Sequence, residues 1–359
     1  MNPKKYILTV SLLLLLLVIA ETCRMKYFTK PLKYSELPFS LAPYKDKIDP
    51  QFGSFLWQED STFYFVFLDD HRKLNFYNAG DKTIAGIIDM EKYLKGLRLF
   101  CCRIIGKQLW LFDCDHKSLL QFNFPDKNNI SLANTYSLDS LLNWKHYFLR
   151  YQYRNLFEVK DSLLFLSYGI FDRSTYDLDS TAWLMLNLFR PDDHYQLKKI
   201  FRYPDDYQKG WHYNTDTWLR FPGENTVLSG FASDNLLYKW LPAQNIFTEN
   251  RFDAAADFRK FNWNKINDLS YIRWYIFTDE CNDNVITLNN NSLLVLKRLP
   301  RSEIADACRY EYYVLDDNLA VTSHNEFRQE IHPYFCYPWR QGFMIFAEDL
   351  SKAYYYAAN

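Results

Sequence analysis

Glycine is scarce in this chain, with ten residues among 359. Their positions form no G-x-G-x-x-G or Walker-type loop, so the common glycine-rich phosphate cradles are excluded. The H-E-x-x-H and G-x-S-x-G signatures of zinc proteases and serine hydrolases are also missing. The sequence therefore predicts no cofactor and no metal. An enzyme with this sequence would have to assemble its site from distant positions.

An excess of basic charge is missing too, since 42 Lys and Arg residues face 43 Asp and Glu residues. This balance does not favour a nucleic-acid partner. The seven cysteines form no C-x-x-C pair for zinc or redox chemistry. If Cys23 is modified, six remain, and they either form disulfides or stay as buried thiols.

The N-terminus has a short positive region followed by an apolar run. Lys4 and Lys5 come first, and twelve of the fourteen residues from Ile7 to Ala20 are apolar. A membrane-spanning helix needs about 20 such residues, whereas the apolar part of a secretory signal needs about 7–15. Residues 1–22 are therefore predicted to be a signal peptide, and the protein is predicted to be exported.

Cys23 offers one of three outcomes for this signal. Its thiol can carry a lipid after cleavage before it, although Ala20 and Thr22 stand where a lipobox has Leu and a small residue. A plain cut after Ala20 and an uncleaved anchor are the alternatives. We favour the lipid anchor.

Aromatic residues are abundant, at 19% of the chain. Phe and Tyr favour pleated surfaces, so this composition indicates β structure. With so little glycine, we expect turns to be made chiefly by Asn and Asp, which tolerate left-handed backbone.

Short apolar and aromatic runs alternate with polar turns along the whole chain. Residues 61–90 read as strand, turn, strand, turn, strand, and residues 97–136 repeat this order. The turn Asp113–Lys117 follows the similar turn Asp69–Lys73 by 44 residues. Repeats of this length with three or four strands are typical of a β-propeller.

We predict an all-β chain folded as a propeller of six four-stranded blades. Six blades would share the 337 residues after position 22, about 56 residues each. Seven blades and an irregular β-sandwich are the alternatives. The predicted division is a signal peptide (1–22), an N-terminal lead (23–50) and one propeller (51–359). Residues 136–148 are the best helical candidate, and a fifth repeat is expected to begin at residue 271.

The signal peptide, Cys23 and the aromatic-rich, glycine-poor blades are together similar to a known pattern. The chain resembles the six-bladed, TolB-like propeller lipoproteins of Bacteroidetes-type bacteria. The likeness covers nearly the whole mature chain, although it rests on this pattern and on no sharp motif. It implies an envelope location and a binding surface, and it supplies no catalytic residues.

The stretch 207–221 is the predicted ligand site. It places aromatic faces beside polar groups, a combination that suits sugars and other amphipathic ligands. The candidate residues are Trp211, His212, Tyr213, Asp216 and Trp218. In the alternative interpretation these aromatic side chains only fill gaps between blades.

Two other polar stretches are weaker candidates. Residues 279–284 (DECNDN) offer oxygen ligands for calcium, but a solvated turn is the preferred interpretation because the calcium-loop order is missing. His324, Glu326, Glu330 and His332 could serve as acids, bases or metal ligands. For these four we prefer a loop that joins the last blades.

The predicted function is that of an exported, lipid-anchored envelope propeller that binds a protein or a glycan without catalysis. It would face the periplasm, with the membrane reached through the lipid. The alternative is a secreted propeller hydrolase or lyase that acts on carbohydrate, with His212, Asp216 and the segment from His324 to His332 as its candidate residues. A third class is a purely structural component of the envelope, which would instead expose a broad apolar patch.

Overall fold

The computed structural model describes residues 31–47, 55–60, 62–69, 71–94, 100–113, 116–138, 157–161, 163–167, 171–172, 177–178, 181–188, 198–209, 216–253 and 258–358. The predicted signal peptide and Cys23 lie outside these residues.

The described strands form six four-stranded antiparallel sheets, which we number as blades one to six. Strand β1 (Tyr34–Leu37) belongs to the last of them. Blade one consists of β2 (Phe55–Glu59), β3 (Thr62–Leu68), β4 (Lys73–Asn78) and β5 (Thr83–Asp89). Blade two consists of β6 (Phe100–Ile105), β7 (Gln108–Asp113), β8 (Ser118–Asp126) and β9 (Asn129–Ser137).

Blade three contains β10 (Phe157–Lys160), β11 (Leu163–Ser167), β14 (Thr181–Asn187) and β15 (Lys198–Arg202). A separate short hairpin, β12 (Phe171–Asp172) and β13 (Asp177–Leu178), is inserted between its second and third strands. Blade four consists of β16 (Thr217–Arg220), β17 (Val227–Phe231), β18 (Leu236–Leu241) and β19 (Ile246–Arg251). Blade five consists of β20 (Cys281–Thr287), β21 (Leu293–Arg298), β22 (Tyr310–Leu315) and β23 (Val321–Glu326).

The two ends of the chain meet in blade six. Its inner three strands are β24 (Ile331–Trp339), β25 (Gly342–Ala347) and β26 (Ala353–Ala357), and its outer strand is β1. Tyr34 pairs with Tyr356 in this antiparallel ladder. Part of the predicted N-terminal lead is thus built into the last blade. The six-bladed propeller predicted from the repeats is confirmed.

An apolar cluster fills each seam between successive blades, including the seam between blades six and one. Second strands are covered by a neighbouring blade on both faces, so β3 is buried at five successive positions. The outer strand β5 has mostly exposed positions instead. This difference explains why the inner part of each repeat reads as a continuous aromatic or aliphatic run. Each fully buried large side chain contributes roughly 1.5–3 kcal/mol to folding.

The inner strand of every blade begins at one face of the propeller, which we call the top face, and ends at the bottom face. The predicted turns Asp69–Lys73 and Asp113–Lys117 both lie at the top face, between the second and third strands of their blades. The Asp69 carboxylate accepts the backbone N–H groups of His71 and Lys73, each at 2.9 Å. The two stretches are therefore equivalent hairpin tips, as their spacing predicts.

Turns use Asn and Asp less directly than expected. Eleven described residues other than glycine have positive φ, and four of them are Asp or Asn. The others are Arg, Lys, Leu or Phe, such as Arg72 with φ of 56°. In other turns an aspartate precedes the left-handed residue and caps the turn with its carboxylate, as Asp69 and Asp316 do. A left-handed residue with a side chain costs about 1–2 kcal/mol, which this capping offsets.

Helices are short and lie between blades in the described part of the chain. Two 3-10 helices span Ala42–Lys47 and Trp263–Lys265, and the α-helices span Glu91–Leu94, Asp205–Gln208 and Leu269–Thr278. The last begins where Asp268 accepts the N–H of Tyr271 at 3.1 Å. The expectation that a β repeat begins at residue 271 is therefore wrong, and blade five begins at Cys281.

The helix predicted for residues 136–148 is not supported where the structure describes it. Tyr136 and Ser137 end strand β9, and residues 139–150 lie outside the described part. Among the helices of the described ranges, none has the length and apolar character needed to cross a membrane.

Candidate functional site

A polar cavity of about 520 Å³ opens at the top face beside blade four. Its wall comes from the connection between blades three and four, from the β17–β18 turn and from the end of β19. Side chains of both charges line it, together with aromatic rings. The lining residues are Arg202, Tyr203, Pro204, Asp205, Asp206, Ser233, Asp234, Leu236, Tyr238, Glu249, Arg251, Phe258 and Lys260.

The β17–β18 turn is fixed by buried hydrogen bonds. The Tyr207 hydroxyl, from the helix before blade four, accepts the N–H of Ser233 at 2.7 Å. The Asp234 carboxylate accepts the N–H of Leu236 at 3.0 Å. The first bond holds the turn against the connection from blade three, and the second closes the turn itself.

Burial changes the acidity of two groups in the wall. It raises the pKa of Asp234, and the nearby charge of Asp206 raises this pKa further, although Arg251 opposes the shift. Burial also raises the pKa of Tyr238, so its phenol stays neutral and can donate a hydrogen bond. Tyr238 pairs with Glu249 across the β18–β19 ladder, which places phenol and carboxylate side by side.

The segment between blades four and five forms the remaining wall. Arg259 anchors it: its N–H donates to Asp279 at 3.2 Å, and its guanidinium lies 4.9 Å from the ring centre of Trp274. The Tyr275 hydroxyl donates to the Arg259 carbonyl oxygen at 2.7 Å. Arg259 lies between Phe258 and Lys260 in the chain, so these contacts position both of these cavity residues.

A buried ionic cluster lies behind Phe258. The Lys297 side chain is only 2% exposed and forms ion pairs with Asp253, at 2.5 Å, and with Glu280. The Tyr313 hydroxyl lies 3.0 Å from carboxylate oxygens of Asp253 and Glu311. The Lys297 ammonium is 5.7 Å from the ring centre of Phe258, so the cluster supports the cavity wall from inside.

The preferred interpretation of residues 279–284 as a solvated turn is wrong. Asp279, Glu280, Cys281 and Asn282 are all buried, and the last two begin strand β20. Two carboxylates of this stretch pair with cations of the next strand, β21. Lys297 forms an ion pair with Glu280, and the Arg298 guanidinium lies 3.7 Å from the Asp283 carboxylate. Within the described ranges, no group of three acidic, His or Cys side chains could hold a metal ion.

The expectation of a loop over residues 324–332 is also wrong for most of its length. His324 and Glu326 lie on β23, and His332 lies on β24. His324 is buried: its ring stacks on Tyr313 with centres 4.0 Å apart, and its Nε2 lies 3.1 Å from Glu311. Glu326 pairs with Arg309 at the surface. His324 is therefore part of the packing at the top of blade five, beside the ionic cluster of Lys297.

The predicted ligand stretch is described only in part. Trp211, His212 and Tyr213 lie outside the described residues. Asp216 is half-buried at the top of blade four. Burial raises the pKa of the Cys281 thiol, and the charges of Asp283 and Asp216 raise this pKa further. Trp218 is buried in the seam between blades four and five, with Val285 and Val295. Its indole fills a gap between blades, as the alternative interpretation supposes.

Sequence reasoning missed most of the cavity. It did not select Asp205, Asp206, Asp234, Glu249 or Arg251. The available signal was positional: these residues occupy strand ends and turns that the repeat places at one face. A search for charged residues at top-face turns would have found them.

The comparisons with known proteins agree on the fold. No family model matches the chain, and no curated protein does. A crystal structure of a DUF4221 family member from Bacteroides vulgatus aligns with a TM-score of 0.62 at 13% identity, covering 91% of this chain and 96% of that one. A candidate exported protein from Bacteroides fragilis aligns with a TM-score of 0.51 at 10% identity, covering 93% and 98%. At such identities the likeness shows the shared propeller fold.

Proposed function

We propose that this protein is an exported propeller of a bacterial envelope, held at the membrane by a lipid on Cys23. In this proposal it binds a glycan in the top-face cavity and does not catalyse a reaction. A protein ligand that presents similar polar groups is the alternative occupant. We also propose that this propeller is of the TolB-like type.

The composition of the cavity wall carries the proposal. Carboxylates and cationic side chains line the cavity together with the half-buried rings of Tyr238 and Phe258. A sugar presents hydroxyl groups at its edges and apolar C–H faces, and it needs this combination of polar groups and flat rings. The cavity volume of about 520 Å³ lies in the range of small-ligand sites, roughly 300–1,000 Å³.

Binding of oligosaccharides tests the cavity. Calorimetry with the purified protein and a panel of neutral and acidic oligosaccharides should find at least one ligand. Asp234→Asn and Glu249→Gln should each weaken its binding by about tenfold, because each removes a charged hydrogen-bond acceptor. Asp316→Asn, in a turn at the bottom face, is the matched control and should change nothing. Equal affinity in all four proteins would overturn the proposal.

The fate of the N-terminus tests the anchor. Intact mass and N-terminal peptide mapping of the protein from its own membranes should show a lipid-modified Cys23 as the first residue. Cys23→Ser should release the protein into the soluble fraction. An unmodified N-terminus at Glu21 would contradict the anchor and leave the glycan proposal standing.

A further inference from the structure

Side chains line the central channel and satisfy the unpaired edges of the inner strands. An inner strand has no partner on the channel side, so its backbone groups there need other hydrogen bonds. Arg220 on β16 donates its Nε to the carbonyl oxygen of Val285 on β20 at 2.6 Å. Tyr337 on β24 accepts the N–H of Leu56 on β2 at 3.2 Å. Arg220 therefore belongs to the channel wall.

A cluster of three charged side chains connects three successive inner strands at this wall. Glu158 on β10 forms ion pairs with Arg103 on β6 and with Arg220 on β16. Both guanidinium groups contact the same carboxylate oxygen, Oε1, at 2.5 Å and 3.4 Å respectively. The side chains of Arg103, Glu158 and Arg220 are 24%, 14% and 18% exposed, so each of them is in contact with solvent. Together these three side chains carry one net positive charge.

Arg220 carries its charge in a partly buried place, where its Nε and one Nη donate to the carbonyl oxygens of Val285 and Leu219, both at 2.6 Å. Burial lowers its pKa to about 10, Glu158 opposes this shift, and the like charge of Arg103 adds to it. Lys160, at the end of β10, adds a further positive charge near the bottom face, where its ammonium donates to the Gly223 carbonyl oxygen at 2.7 Å. A second anion beside Arg103 and Arg220 would relieve the repulsion between the two guanidinium groups.

We propose that Arg103 and Arg220 form an oxyanion-binding site in the central channel, which takes a carboxylate or a phosphate group. Guanidinium groups bind both through paired N–H donors, with a fork geometry that lysine lacks. Glu158 occupies part of this site in the free protein and competes with the incoming anion. The site is separate from the top-face cavity, and it does not depend on the glycan proposal.

Calorimetry with inorganic phosphate and, separately, with acetate at matched ionic strength tests this site. The full-length protein should bind at least one of the two saturably. Glu158→Gln should tighten that binding by about tenfold, because it removes the competing negative charge while keeping the side-chain shape. Arg103→Gln should weaken it by about tenfold or more.

The control frees an arginine elsewhere in the molecule. Glu326→Gln removes the carboxylate from Arg309, which is 64% exposed and pairs with it at 2.6 Å. This variant should bind neither anion more tightly than the parent protein. Acetate binding alone would identify a carboxylate ligand, and phosphate binding alone a phosphate ligand. Both results support the site.

Two results would overturn the proposal. One is no saturable binding of either anion by the parent protein and by Glu158→Gln. The other is binding that Arg103→Gln leaves unchanged, since the anion would then lie elsewhere. Circular dichroism and thermal unfolding check each variant, and if Glu158→Gln does not fold, the parent protein and Arg103→Gln decide the question.

Discussion

The seam between blades one and two and the seam between blades four and five share one strand order but differ in chemistry. In the first, Phe76 and Phe124 stack with ring centres 5.7 Å apart, and Trp57 packs on both. In the second, apolar packing around Trp218 continues at the top face as the ionic cluster of Lys297. The first seam depends mainly on volume and apolar surface, with a partly exposed Lys127–Glu59 ion pair at its bottom end, whereas the second also needs buried ionic partners.

This difference distinguishes the packing that closes the ring from the contacts that support the cavity wall. Apolar seams close the ring and tolerate many sequences of similar volume. A buried ionic cluster seldom adds stability over apolar packing, yet losing one member is costly. The cluster of Lys297 supports Phe258 at the wall of the top-face cavity. We infer that its placement there serves the cavity wall.

Removal of the buried cation should have the largest effect. Lys297→Met leaves the carboxylates of Asp253 and Glu280 buried without it and should lower the free energy of unfolding by about 3–5 kcal/mol at pH 7. Urea denaturation measures this. Lys239→Met, which removes a surface hydrogen bond to the Asp317 carbonyl oxygen, should change it by less than about 0.5 kcal/mol. Similar values for both variants would show that the buried ionic cluster does not need its cation, and the contrast with the apolar seam would then fail.

A cavity in the apolar seam should have a slightly smaller effect. Leu111 is buried between blades one and two, and Leu111→Ala should cost about 3 kcal/mol through lost packing. Because no charge is involved, this loss should be equal at pH 5 and pH 7. Leu132→Ala, at an exposed position of β9, should cost under about 1 kcal/mol. A pH-dependent loss for Leu111→Ala would contradict the purely apolar account.

The buried Asp279 should make stability depend on pH. Burial raises its pKa to about 6, with hydrogen bonds from Arg259 and Tyr275 opposing the shift. The unfolded group has a pKa of about 3.9, so the folded state binds more protons between the two values and stability falls as pH rises through this window. Asp279→Asn removes the effect. The free energy of unfolding of this variant minus that of the parent should be roughly 2–3 kcal/mol larger at pH 7 than at pH 4.

Urea denaturation of both proteins at the two pH values provides this measurement. A difference that stays constant between pH 4 and pH 7 would show that Asp279 has an ordinary pKa in the folded protein. Asp316→Asn, in an exposed turn, serves as the control.

An exposed ion pair should show the smallest effect. Arg309 and Glu326 form two hydrogen bonds of 2.6 Å at the surface of blade five. Glu326→Gln should nevertheless cost under about 1 kcal/mol, because water and salt screen exposed pairs. Thermal unfolding at low and high salt checks this. A loss equal to that of Lys297→Met would show that burial is not what distinguishes the two pairs.

Much of the fold could be predicted because the strands and turns of each blade follow one another in the sequence. Runs such as β3 and polar turns such as Asp69–Lys73 recur at blade spacing, and their order needs no distant partner. The helix Leu269–Thr278 escaped because its aromatic and β-branched residues resemble a strand. Its N-cap, Asp268, was the available signal.

The site could be predicted far less well, because its partners are distant in sequence. Glu280 looks like a surface acid until Lys297 is brought to it by the next strand. Arg103 and Arg220 come from different blades and meet only at Glu158. Asp234 and Glu249 share one wall because a turn and a strand end lie at the same face. Composition and spacing do not reveal such contacts between residues that are distant in sequence.

Hydrogen–deuterium exchange of the full-length protein tests the central claim most directly, with and without the oligosaccharide that binds most tightly in calorimetry. The account predicts slower exchange at residues 201–206, 233–238 and 249–251, which form the wall of the top-face cavity. The bottom-face turn at residues 316–320 should exchange at an unchanged rate. Protection confined to the bottom face would contradict the account and place the ligand elsewhere on the propeller.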